Sequence, residues 1–511
     1  MKLIARHSDV TVSEMAVILN SDDALKLGVD HTDRVRVTGD SSTICAVVIT
    51  DSIVEPGKAI FPSQIMERCG IKDGEEFLIE YSPMPESVRS IRSKINGRKL
   101  NGQEIRSIVQ DILDGGLSSK EILSFVSAFN VNNADLEEVA HLTRAIADTG
   151  SMVDFGSERI FDFHSLGGIP GNKITPIVVS IVASQSLIIP KLSSRAISSA
   201  CGTSDFVDTF CDVELDTESL KTAVKKTGGV FACGNDDYAP VGSIIIDAER
   251  PMGIDPRPMM LASIMSKKVA LGTTHLLIDI PMGKGAKIPD METAEGFAKD
   301  LIGLGRILGV HIECAVTYAD QPLGHMIGPT LEAKECISML ETRDTECAVL
   351  DKACGMAGII LEMAGMENGR ARAEEAITSG RAHEKFLQIV EAQNGSHDLK
   401  SNDLSPGSFV KDVHAKRDGF VQYIDNASMV AIAKGAGAPE DLGAGIEILH
   451  EKGDRVKEGD VLFRIYAENQ AKLDRSVESA RSRRPMLVTK NPVDTAPRFM
   501  ILKRISERSE Q

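Results

Sequence analysis

The spacing of apolar residues changes along the chain, and the changes predict its parts. Residues 1–82 carry short runs with a two-residue rhythm, Val35-Arg36-Val37, Ala46-Val47-Val48-Ile49 and Phe77-Leu78-Ile79-Glu80-Tyr81, broken by Gly and Asp. Short strands at such spacing predict a β-barrel-like domain. After a Pro-containing linker at Ser82–Glu86 the rhythm becomes helical: Ile105, Ile108, Val109 and Ile112 share one face, as do Ile122, Phe125, Val126 and Phe129. A third helix runs through Leu136, Val139, Ala140 and Leu142. Asn101-Gly-Gln-Glu104 and Ser118-Ser-Lys-Glu121 are capping-box patterns at the starts of the first two. From Ile160 strands and helices alternate, which predicts a mostly parallel sheet. Beyond the turn-rich Leu399–Gly407, strand patterning returns in Gly419–Ile424 and Asp460–Ile465. The expected fold class is α/β multidomain: an N-terminal β-rich domain at 1–82, a helical domain at 83–158, a central α/β domain at 159–400, and a C-terminal β-rich α+β domain with a charged, solvated tail at 401–511.

The α/β segment delivers three polar loops from three successive strand ends. Strand Ile160–Phe163 runs into His164-Ser165-Leu166-Gly167-Gly168-Ile169-Pro170-Gly171-Asn172-Lys173, and helix Ile174–Ala183 follows. Strand Leu187–Leu192 runs into Ser193-Ser194-Arg195-Ala196-Ile197-Ser198-Ser199-Ala200-Cys201-Gly202-Thr203-Ser204-Asp205. Strand His275–Pro281 ends in Met282-Gly283-Lys284-Gly285-Ala286-Lys287. The carboxyl edge of a parallel sheet is where open α/β folds bind ligands. Glycine lets backbone N–H groups approach an anion, and Ser165, Ser194, Ser199 and Thr203 add hydroxyls. Lys191 and Arg195 add charge. The ligand predicted is a phosphate-type anion. Ordinary βα turns are also rich in Gly and Ser, but the repetition with cations favours a site. Neither a Walker A sequence nor a Gly-x-Gly-x-x-Gly fingerprint is present.

Charge sharpens this picture. A net charge of −17 over 511 residues argues against a nucleic-acid binder. Around the loops the sign reverses, with Lys173, Lys191, Arg195, Lys267, Lys268, Lys284 and Lys287. A basic pocket in an acidic protein suits a small anionic substrate, although scattered surface lysines give the same count. Nine cysteines without a Cys-x-x-Cys pair predict reduced thiols, a cytoplasmic location and no metal site. No signal peptide or membrane span is expected, since Ile174–Pro190 is interrupted by Ser180, Ser184, Gln185 and Ser186. His7 and His31 are read as surface residues.

The run Ser194–Asp205 resembles the signature of the thymidine and pyrimidine-nucleoside phosphorylase family, and the loop at His164 resembles that family's Lys-His-Ser-Thr-Gly-Gly loop. Matches extend from about Val88 to Glu468, and the chain is most similar to the AMP phosphorylase branch, which carries an extra N-terminal domain. The step from Ala24 to Val29 into a Val-Arg-Val strand resembles double-psi barrel modules. The turn Gly453–Asp460 resembles those of biotinyl or lipoyl carriers, but their modified Lys is absent and a carrier role is rejected. Departures from the nucleoside enzymes are specific. Phe163 replaces a loop Lys, Cys201 and Asp208 replace a Gly and a Glu, Lys287 replaces an aromatic residue, and their base-binding Arg has no clear counterpart.

The resemblance implies phosphate attack on C1′ with departure of the base, which needs an anion cradle and a proton donor. The cradle and substrate residues implied are Gly168, Ser194, Arg195, Ala196, Ile197, Ser198, Ser199, Thr203, Ser263 and Lys287, with His164, Ser165 and Lys267 as further candidates. A segment near 248–270 is expected to return to the helical domain and hold the base, with Ser263 and Lys267 on one helical face. Asp255 is either the general acid, kept protonated by its surroundings, or the N-cap before Pro256. Spacing leaves those two level, and the resemblance favours the acid. The added charge points to a nucleotide, so the expected reaction turns AMP (or CMP and UMP) and inorganic phosphate into free base and ribose 1,5-bisphosphate. No cofactor is expected, and a homo-oligomer is. The alternatives are a pyrimidine-nucleoside phosphorylase, a phosphoribosyltransferase needing pyrophosphate and Mg²⁺, and a non-enzymatic assembly or adaptor protein.

Overall fold

The computed structural model describes the chain except residues 10–14, 32, 133, 197–198, 235–236, 250–251, 253, 255, 494–496, 498 and 508–511. By internal contacts the chain divides into two compact units, one of residues 1–151 with 236–266, the other of 152–235 with 267–511.

In the first unit, Lys2–Ser8, Ala16–Asn20, Arg34–Thr38, Ser42–Thr50, Lys58–Pro62 and Glu76–Ser82 close into a six-stranded barrel. Alternate residues point inward: Leu3 and Ala5, Val17 and Leu19, Val35 and Val37, and Phe77 and Ile79 are all buried. Two strands, Ala16–Asn20 and Lys58–Pro62, turn directly into short helices, Ser21–Leu27 and Ser63–Cys69. Each helix stops at a left-handed glycine, Gly28 and Gly70. The helical part is Glu86–Ile95, Gly102–Leu113, Ser119–Val131 and Leu136–Ala147. Both capping boxes form, on Asn101 with Glu104 and on Ser118 with Glu121. The bundle interior also holds an ion pair: Lys94 Nζ donates to both oxygens of Glu138, at 2.8 and 2.7 Å, with both side chains buried.

In the second unit, Phe161–Ser165, His275–Met282 and His311–Tyr318 are parallel neighbours, joined antiparallel by Ile501–Ile505. Ile189–Ser193 and Gly229–Cys233 form a further parallel pair, linked to the sheet through the bridge of Ile160 with Ile188. Helix Ile174–Ser184 is mostly apolar and buried on every side, and packs into the core with Phe161, Phe163, Ile337 and Ile389. Phe409–His414, Val461–Ala467, Gly445–Ile448 and Met326–Ile327 make one C-terminal sheet, and Gly419–Ile424, Arg455–Val456 and Met486–Thr489 make another. Helices Asn426–Ala436 and Gln470–Arg483 share their apolar core.

The tail departs from expectation. The described residues from Arg475 onward do not form a solvated arm: they continue helix Gln470–Arg483, add strand Met486–Thr489, and return as Ile501–Ile505 to the edge of the α/β sheet. The charges of that last strand are bound, with Lys503 on Glu295 at 2.7 Å and Arg504 on Glu313 at 2.6 Å. Charged residues on an edge strand read as solvated sequence because only one face is covered. No helix among the described residues is long and apolar enough to cross a membrane.

Candidate active site

The carboxyl ends of the parallel strands place the glycine loops of the second unit at one edge. Gly168 adopts φ +89°, and a Cβ there would stand 3.2 Å from the Lys287 backbone nitrogen. The left-handed turn favours glycine and a Cβ would make that approach tight, so the first and third loops lie against each other. In the second loop Asp205 is the organiser: its Oδ2 accepts the N–H groups of Ala196 at 2.7 Å and Gly202 at 2.8 Å. A Cβ on Gly202 would meet the Ala196 nitrogen and the Ser194 carbonyl at 2.6 Å, so the loop folds tightly on itself. Ser194 and Arg195 are exposed, while Ala196, Ser199 and Thr203 are half-buried. Ser199 Oγ donates to the Cys201 carbonyl at 3.0 Å. Ile197, Ser198 and Asp255 lie outside the described residues.

The seven expected cations do not act alike. Lys173 is wholly buried, paired with Glu335 at 2.6 Å and donating to the Leu323 carbonyl at 3.0 Å, so it is a core residue. Lys268 pairs with buried Asp162 at 2.7 Å. Arg195 turns to Asp208 at 2.9 Å and Glu214 at 3.0 Å. Asp208, which departs from the family's Glu, therefore still supplies a carboxylate to this loop. Lys284 lies over the Tyr423 ring, 4.5 Å from its centre. Lys191, buried at the strand end, donates to the Leu192 carbonyl. Burial brings its ammonium down to about 7, reinforced by Lys268 and Lys267 and opposed by Asp162. His164 is held well below the usual imidazole range, first by burial and then by Lys268, Lys191, Lys267 and Lys287. The His164 neighbourhood is thus electropositive, and a neutral imidazole there can accept or donate hydrogen bonds.

Phe163 is fully buried in the core, so the position where related loops carry Lys offers no anion contact. Ser263 sits in helix Arg257–Ala270, one turn before Lys267, and its carbonyl accepts the Ser266 hydroxyl at 3.1 Å. The Cys201 thiol lies beside Glu332; burial, Glu332 and Asp205 push it well above its usual range. Glu332 is itself raised to about 7, chiefly by burial. Sequence reasoning passed over Ser193, whose buried hydroxyl finds no hydrogen-bond partner among the described residues, and Asp205 and Asp279. A carboxylate inside an otherwise apolar strand, as in Leu277-Ile278-Asp279-Ile280, is the signal for the last.

Known proteins extend these observations. The helical bundle domain of the glycosyl transferase family matches residues 88–150, that family's a/b domain matches 157–383, and the pyrimidine nucleoside phosphorylase C-terminal domain matches 420–486. The solved anthranilate phosphoribosyltransferase of Thermus thermophilus superposes with a TM-score of 0.51 at 16% identity, over 60% of this chain and 99% of that one, a likeness of fold. Bundle, parallel sheet and glycine loops together define a glycosyl transferase of the pentosyl-transferring class. AMP phosphorylases from Thermococcus kodakarensis and Pyrococcus furiosus are each 42% identical, the first over 96% of this chain and 98% of its own length, the second over 94% and 96%. AMP phosphorylase 1 of Archaeoglobus fulgidus is also 42% identical, over 93% of this chain and 95% of its own length. The chain belongs to the AMP phosphorylase family.

Proposed function

We propose that the protein cleaves the N-glycosidic bond of AMP with inorganic phosphate, giving adenine and ribose 1,5-bisphosphate, with CMP and UMP as further substrates. The observation that carries this reading is the 42% identity to an AMP phosphorylase over 96% of this chain and 98% of the relative. Breaking the bond builds positive charge on the ribose and negative charge on the base. Phosphate is held against the loop Ser194–Thr203, with Gly168, Ser194, Arg195, Ala196, Ile197, Ser198, Ser199 and Thr203 as its contacts and those of the ribose. Lys287 holds the 5′-phosphate, Ser263 and Lys267 flank the base, and Asp255 donates the proton to it. General acid catalysis of this kind contributes about 10²–10⁴-fold. The chain is divided as 1–82, 83–158 with a returning segment near 248–270, 159–400 and 401–511, the last two exchanging the strands Met326–Ile327 and Ile501–Ile505, and it works in the cytoplasm as a homo-oligomer.

Base release from AMP, CMP, UMP, adenosine and thymidine, each with and without phosphate, tests the reading. AMP cleavage that requires phosphate is expected. Thymidine cleavage without AMP cleavage would replace the reading by a nucleoside phosphorylase.

A further inference from the structure

Beneath the first glycine loop lies a buried carboxylate to which the reaction above gives no role. Asp279, fully buried in strand His275–Met282, accepts the Thr317 hydroxyl on Oδ1 at 2.6 Å and the Ser165 hydroxyl on Oδ2 at 2.7 Å. Its charge partner is Lys352, also fully buried, in helix Ala348–Met363, with Nζ 2.8 Å from Oδ2. The Asn172 amide reaches Ser165 Oγ at 3.0 Å and Asp279 Oδ2 at 3.5 Å. The Asp279 carbonyl accepts Leu166 N–H at 3.0 Å. One residue therefore grips the loop at both ends, at 165–166 and at 172.

The hydrogen-bond inventory of Ser165 decides what it can do. A hydroxyl has one proton to donate and two lone pairs. The proton lies on Asp279, and the lone pairs take Gly167 N–H at 3.3 Å and the Asn172 amide at 3.0 Å. Nothing remains on Ser165 to donate to an anion. The Lys352 ammonium faces Asp279 Oδ2 at 2.8 Å and the Thr317 hydroxyl donates to Oδ1; a carboxylate met by donors on both oxygens is an acceptor, which fixes the direction of the Ser165 hydroxyl. We propose that Asp279, backed by Lys352, is a positioning residue that sets the anion-binding loop through Ser165, and that Ser165 is a strut of the loop and not a phosphate donor. Anion contacts from this loop then come from backbone N–H groups around Gly168, whose left-handed turn the strut holds.

The identity of the anion as phosphate rests on the phosphorolysis reading, while the positioning claim is read independently of it. The test compares wild type, Ser165→Ala, Asp279→Asn, their double variant, and the charge-balanced Asp279→Asn/Lys352→Met. Inorganic phosphate binding is measured by calorimetry, and loop order by deuterium exchange of the peptide covering 166–172. Both single variants should weaken phosphate binding by about tenfold and speed exchange of the loop, and the double variant should be no worse than Asp279→Asn. The charge-balanced pair should melt near wild type yet keep the phosphate defect. Ser165→Ala with unchanged exchange and a defect that multiplies with that of Asp279→Asn would make Ser165 a direct donor and overturn the proposal. Wild-type phosphate affinity in the charge-balanced pair would overturn it too, and that pair stands in should Asp279→Asn alone not fold. A wild type that binds phosphate but releases no base from AMP would refute phosphorolysis and leave these ratios readable. If wild type binds no phosphate, the exchange comparison alone decides the positioning claim.

Discussion

Replacing Lys191 by Met should make the unliganded protein more stable and its anion binding weaker. The ammonium is buried and brought from 10.5 to about 7, by desolvation first and then by Lys268, with Asp162 opposing. In the unfolded chain the same group titrates near its ordinary value. Between those values the unfolded state binds a proton that the folded state does not, so stability rises with pH by roughly 1.4 kcal/mol per pH unit. Below about 7 both states are protonated and the full burden of the buried cation is present. From pH 7 to 9 the folded wild type should gain on the order of 2 kcal/mol relative to Lys191→Met. At about 2–4 °C per kcal/mol for a cooperative unit of 150–250 residues, that is a Tm difference changing by roughly 4–8 °C. Melting curves of both proteins at half-unit pH steps, without anion, measure it. Lys191→Met should melt higher at pH 7, and the gap should narrow toward pH 9. A gap that stays constant across the range would show that Lys191 keeps one charge state and would refute the reasoning. With a bound anion beside it the ammonium should regain its proton, so phosphate binding at pH 8 should take up protons, visible as a dependence of binding heat on buffer ionisation.

Three further perturbations separate the roles of other residues. Lys287→Ala should lower use of AMP by more than about tenfold, since a charge-assisted hydrogen bond is worth roughly 1.5–3 kcal/mol, and lower adenosine cleavage less; equal losses would detach Lys287 from the 5′-phosphate. Asp255→Asn should keep AMP affinity and the melting curve while turnover falls, because Asn caps a helix about as well as Asp but cannot deliver a proton; near-normal turnover would leave Asp255 a cap. Lys94→Met strands the buried Glu138 carboxylate with the Leu100 N–H at 2.8 Å as a remaining donor. It should destabilise the helical bundle by about 3–5 kcal/mol in thermal unfolding, and Lys94→Met/Glu138→Leu should recover much of it.

Much of this architecture is legible without coordinates, because helix faces and caps are local. The stripes Ile105–Ile112 and Ile122–Phe129 and the capping boxes at Asn101 and Ser118 appear in the structure as the spacing predicts. Strand His275–Met282 and helix Ile174–Ser184 fall within two residues of the predicted bounds. Long-range partners were not legible. Nothing near Lys173 announces Glu335, far along the chain, so a core ion pair read as part of a basic pocket. The strand Ile501–Ile505 looked solvated because its lysine and arginine find Glu295, Glu313 and Glu362 only in the folded chain. The hydrogen bond of Ser165 to Asp279 was hidden for the same reason, since its partner is on another strand.

The central claim is that this chain carries a phosphorolytic pentosyl transfer on a nucleotide. Phosphorus NMR of a reaction of AMP with inorganic phosphate tests it most directly. The account predicts that the AMP resonance is replaced by the two of ribose 1,5-bisphosphate, with one adenine released and one phosphate consumed per turnover, and no conversion when phosphate is omitted. Adenine appearing with ribose 5-phosphate, or at an undiminished rate without phosphate, would mean hydrolysis and would contradict it.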